Sequence, residues 1–162
     1  EVLANLDKPV RQLVLKAVEY HNRASLPEDE SKECLFFSGL LRDADKLDIW
    51  RVLTDYYSKD SERGKNSAIE LNLPDTPGIS AQIAKRLLQG RCIEFASMKN
   101  LNDFKLLQAG WAYDINFLPS LKRLKSRGYL SVLEKSLPQT DQVRQIFEAI
   151  GKYIEKRLSE SN

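Results

Sequence analysis

The stretch from Glu28 to about Tyr57 most constrains the fold. It is built mostly from helix formers, and Leu35, Phe36, Phe37, Leu40, Leu41, Leu47, Ile49, Trp50, Val52 and Leu53 leave it without a wide polar face. A helix that is apolar nearly all round belongs in the interior, with other elements wrapped about it. Gly39 marks an expected break, because glycine weakens a helix interior by about 1 kcal/mol relative to alanine. Set into this segment is Leu40-Leu41-Arg42-Asp43-Ala44-Asp45-Lys46-Leu47-Asp48, which places carboxylates and cations where apolar packing is expected. A buried aspartate is tolerated only when it is paired, hydrogen-bonded or bound to a metal. Helical geometry stacks Asp45 between Leu41 and Ile49 and puts Asp48 on the same face, while Asp43 points away beside Leu40, Lys46 and Leu47. Residue types alone leave two readings, a structural set neutralised by Arg42, Lys46 and Arg51, or a site.

The rest of the chain also carries helical spacing. Asp7-Lys8-Pro9 is a start signal. After it Val10, Leu13, Val14, Ala17, Val18 and His21 form one stripe expected to face the core, with His21 pointing inward. Ala24 to Asp29 reads as a turn. Ser58 to Gly78 is the least regular part, with Gly64, Pro74, Pro77 and Gly78 as breakers and a polar run from Lys59 to Asn66. Helices are expected over Ile79–Leu88, closed by Gly90, over Leu101–Phe117 with one apolar face, and over Tyr129–Leu137, stopped by Pro138. Thr140-Asp141 starts a last helix striped by Val143, Ile146, Phe147, Ile150 and Ile154. No repeat and no convincing strand is found. The expectation is an all-α array in one domain, with residues 1–57 as a helical core, 58–78 as an irregular connection, and 79–162 packing on the same core.

Composition narrows the function classes. The chain has 162 residues, enough for one sizeable core. No apolar run approaches the ~18 residues that span a bilayer, so no membrane partner is expected. Lys and Arg number 25 against 23 Asp and Glu, a net charge of +2 that does not announce a nucleic-acid binder. The basic run Lys122, Arg123, Lys125 and Arg127 reads as a solvated helix face. Cys34 and Cys92 lie too far apart in sequence for a zinc knuckle and are expected to be reduced, which suits the cytoplasm. Phosphate loops, dinucleotide fingerprints and nucleophile elbows are absent. There is a single histidine, His21, so a multi-histidine metal site cannot come from this chain alone.

Two stretches carry a resemblance. Ala17-Val18-Glu19-Tyr20-His21-Asn22, a short loop, and then Leu41-Arg42-Asp43-Ala44-Asp45-Lys46-Leu47-Asp48 resemble the HD-domain superfamily of metal-dependent phosphohydrolases. Leu107 to Phe117 is similar to the C-terminal helical part of an uncharacterised bacterial branch. The resemblance implies a divalent metal ion (Mn, Fe, Co, Ni, Zn or Mg) with Asp45 among its ligands. It implies a catalytic part for His21, as a second-metal ligand or a phosphate contact. Asn22, Arg42, Lys46 and Asp48 become contacts to a small phosphorylated substrate, such as a nucleotide, or supports for the ligands. The family's His-Asp doublet and its upstream histidine have no counterpart here, and His21 is followed by Asn22. The resemblance therefore reads this chain as the C-terminal part of such an enzyme, lacking the family's N-terminal helices. Such a piece is expected to hold no metal alone, to be inactive, and to form homo-oligomers through the surface those helices would cover. A non-catalytic helical signalling or protein-interaction domain is the alternative.

Overall fold

The computed structural model describes residues 2–59 and 66–160. Every regular element among them is helical. The order is α1 (Lys8–Tyr20), α2 (Lys32–Tyr57), α3 (Ser67–Glu70), α4 (Ala81–Leu88), α5 (Leu101–Gly110), α6 (Leu118–Ser126), α7 (Tyr129–Lys135) and α8 (Asp141–Ser159), with 3-10 turns at Phe95–Ser97 and Trp111–Asp114. No helix among the described residues is long and apolar enough to cross a membrane.

The long helix forms where its composition places it, but it is not enclosed all round as expected. Trp50 and Leu53 are buried while Phe36, Phe37, Leu40 and Val52 stay exposed, because its neighbours cover only part of its circumference. Ser31 caps α2 by accepting from the Cys34 amide, and the helix then runs unbroken to Tyr57. The break expected at Gly39 does not occur. Gly39 serves packing instead, since a Cβ there would lie 3.3 Å from both the Asn116 and the Phe117 side chains. Glycine lets residues 116–117 cross close to α2, which offsets the propensity penalty. Trp50 is wholly buried at the centre. Its indole N–H donates to the Gln108 carbonyl at 3.2 Å, and its ring meets Trp111 edge-on and stacks on Tyr129.

One expected helix changes shape, and another buries less than its stripe predicts. The helix expected over 101–117 ends at Gly110, tightens into the Trp111–Asp114 turn, and passes through an extended Ile115 towards α6. Nor does α5 have one apolar face, because all ten of its residues are buried between its neighbours. Lys105 reaches this environment by donating to the Ser136 carbonyl at 2.8 Å, and Asp103 by accepting from Ser80 and Lys99. The α1 stripe is wider than the surface available to it. α1 packs chiefly on α2, so only Ala17 and Tyr20 are buried while Val10 and Val18 stay exposed. Of the irregular 58–78 stretch, Gly64 and most of the polar run lie outside the described residues. The remainder holds the short α3, capped by Asn66 and closed by Leu71 and Asn72 at positive φ.

Candidate functional site

Residues 42–48 of α2 do three separate things. Asp43 is completely buried, and both its oxygens are used: one accepts from the Asn116 amide and the Asn116 side-chain nitrogen, the other from the Phe117 amide, all at 2.9 Å. The local reason lies in α6, which starts Phe117-Leu118-Pro119. Its N-cap position offers no side-chain acceptor. Asp43 supplies a carboxylate at that helix start from another element, where the helix dipole also favours negative charge. Gly39, one turn earlier, provides the room.

Arg42 and Lys46, both buried, meet at Asp114. Arg42 donates to Asp114 Oδ2 at 2.6 Å and Lys46 approaches the same oxygen at 2.8 Å. The other end of the Arg42 guanidinium donates to the carbonyls of Tyr20, His21 and Arg23, so it also holds the chain as it leaves α1. Arg42 and Lys46 are thus not neutralised by the aspartates beside them. Their partner lies about seventy residues further on. Cys92 adjoins this cluster, and burial first, then the Asp114 carboxylate, pushes its thiol up to about 11. That leaves it a poor nucleophile at neutral pH. Cys34 and Cys92 are both free thiols.

Asp48 is exposed and paired with Arg51 at 2.9 Å. Asp45 is half-buried and has no hydrogen bond or ion pair among the described residues. Asn22 is exposed and likewise forms no side-chain hydrogen bond there. His21 caps the end of α1, half-buried rather than turned into the core. Its Nδ1 faces the Val18 carbonyl of its own helix. A carbonyl only accepts, so Nδ1 is the donor in that contact, and Nε2 is the ring nitrogen left to meet another group. The structure therefore joins Arg42, Lys46 and the His21 main chain, and leaves the Asp45, Asp48 and Asn22 side chains outside that network. Among the described residues no three His, Cys, Asp or Glu side chains lie close enough together to hold a metal.

Asp114 and Asn116 were not among the candidates from sequence. The available signal was the start of α6, a helix opening with proline in its first turn and no capping residue, which requires an acceptor from elsewhere. A second polar cleft of about 350 Å³ lies between the end of α2 and α5, lined by Tyr57, Glu70, Asp75, Asn102, Lys105 and Lys135 among others. Burial raises the Tyr57 phenol there to about 12. Comparison with family models, with curated proteins and with solved structures finds no significant match to this chain.

Proposed function

We propose that this chain is part of a metal-dependent phosphohydrolase of the HD type, with Asp45 as a ligand to a divalent metal ion. One observation carries the reading. Of the three carboxylates between residues 43 and 48, Asp43 is consumed by the α6 start and Asp48 by Arg51, and Asp45 alone is half-buried without a partner among the described residues. A carboxylate held in that state on a rigid helix suits a hard or borderline cation. His21 adds an imidazole with Nε2 open, and Arg42 anchors the His21 carbonyl at 3.3 Å.

The donor chemistry fits such a metal, and the donor number falls short, since a metal site usually takes three protein ligands. The remaining ligands on this reading come from outside the described residues. When bound, such an ion lowers the pKa of its water and polarises a phosphoryl group. In this reading Lys46 and Arg42 act at one remove, since Asp114 holds both cations and they fix α2 against the 111–114 turn.

The test is metal content and turnover of a phosphoester panel, measured on the whole polypeptide that carries this sequence. Asp45→Ala removes most of both, and Asp48→Ala leaves both near wild type. Retention of metal and turnover in Asp45→Ala ends the reading. The alternative, a non-catalytic interaction unit, is favoured by the internal use of Arg42, Asp43 and Lys46. It is supported by a panel that finds no turnover and no stoichiometric metal.

A further inference from the structure

We propose that the groove between α2 and α6 is a docking site for an amphipathic α-helix with an acidic flank. The groove has a volume of about 370 Å³, with Leu40, Ala44, Leu47 and Pro119 as its apolar lining and Arg123 and Arg127 as its basic wall.

The spacing along α2 identifies the shape of the occupant. Phe37, Leu40, Ala44 and Leu47 succeed one another at intervals of three, four and three residues, the pattern that presents one seam to a partner helix. Phe37 is 41% exposed and Leu40 46%, Ala44 is exposed, and Leu47 forms the buried end of the row. This row spans about 15 Å of helix, close to three turns of a partner. Ala44 in its middle is small enough to let a second backbone approach, with Phe37 and Leu40 as the larger contacts on one side. Beside Phe37, Phe36 packs edge-on against Phe117 and continues the apolar border towards α6.

Charge identifies the chemistry of the flank. Arg123 is exposed and has no hydrogen bond or ion pair from its side chain among the described residues. The Arg127 side chain donates to the Tyr129 hydroxyl and lies over its ring, with no ion pair among the described residues. The two are one turn apart on α6 and line the same wall. The one carboxylate in the lining, Asp48, is already paired with Arg51. A partner helix carrying two carboxylates one turn apart beside its apolar row compensates both arginines. The proposal stands independently of the metal reading, since neither Asp45 nor His21 lines the groove.

Two synthetic helical peptides of about 18 residues test it, each with leucines at three-four-three spacing, one with glutamates and the other with lysines along one flank. They are titrated by fluorescence anisotropy into the full 162-residue chain. The glutamate peptide binds at least about tenfold more tightly than the lysine peptide. Leu40→Asp removes that binding, and Arg123→Glu abolishes the preference between the two peptides. Both substituted positions are exposed, and a circular-dichroism melt of each variant verifies that it remains folded. Equal affinity for the two peptides overturns the proposal, as does binding that survives Leu40→Asp in a folded variant. Sedimentation of the free chain as a dimer that Leu40→Asp dissociates overturns it in favour of a second copy. An absence of binding to either peptide also overturns it.

Discussion

Asp43 and Phe117 stand 74 residues apart in sequence and are joined by a 2.9 Å bond from the Phe117 amide to the buried Asp43 carboxylate. With the two bonds from Asn116, this fixes where α6 begins relative to α2. Asp43→Ala leaves two main-chain amides without their acceptor and a void in the core. The expected loss is about 3 kcal/mol, read as a lower urea midpoint with little change in helix content before the transition.

Gly39→Ala tests the same crossing from the opposite side. Helix propensity alone predicts a gain of about 1 kcal/mol. The new methyl group would stand 3.3 Å from Asn116 and Phe117, and Asn116 cannot retreat without leaving Asp43. The net result is a loss of about 1 kcal/mol or more. Thermal melts of Gly39→Ala, Asp43→Ala and the double variant show non-additivity, because the second substitution strikes a contact already loosened.

The Arg42–Asp114–Lys46 cluster predicts an asymmetry. Asp114→Ala leaves two buried cations without an acid, at a loss of about 3 kcal/mol or more. Lys46→Met removes one cation while Asp114 keeps its 2.6 Å bond from Arg42, and its lost stability is at most about 1 kcal/mol. Urea titrations of the two variants side by side measure the difference. Equal losses would mean that Asp114 does not bear the shared load.

A fourth expectation concerns pH. Lys16 donates to both oxygens of Glu30, at 2.7 and 2.8 Å, and the Tyr20 hydroxyl donates as well. These hydrogen bonds, Lys16 first, hold the Glu30 carboxyl below its ordinary range. A carboxyl depressed in the folded state stabilises it above the unfolded value, near pH ~4.3, and that contribution disappears as the pH falls through the folded value. Wild type therefore melts above Glu30→Gln at neutral pH, and the two converge in strong acid. A gap that persists at about pH 2 would assign the stabilisation to shape rather than charge.

The all-helical architecture and the last helix, with all five of its striped residues buried, were legible because they rest on periodicity and composition. The end of α5 was not. Apolar residues continue to Phe117, and nothing local says that Asp114 is drawn to Arg42 and Lys46 and ends the helical run. The α1 stripe misled for a related reason, since periodicity gives a face but not the width of the surface that receives it. For the candidate residues, sequence located the charged segment and the oddity of its carboxylates. It did not reveal how they divide, because the partners that take up Asp43, Arg42 and Lys46 arrive some seventy positions later. That division left Asp45 without a partner among the described residues.

Asp43 also sets a timetable. During synthesis the residues that accompany it in α2 leave the ribosome together, whereas its partners at 116 and 117 follow 73 and 74 residues behind. At about 5–20 residues per second that interval lasts roughly 4 to 15 seconds. Through it the nascent chain carries the Asp43 carboxylate without the amides that receive it, so burying that face of α2 costs more than it does in the finished chain. The bonds that join α2 to the start of α6 are thus ones that the growing chain cannot make early.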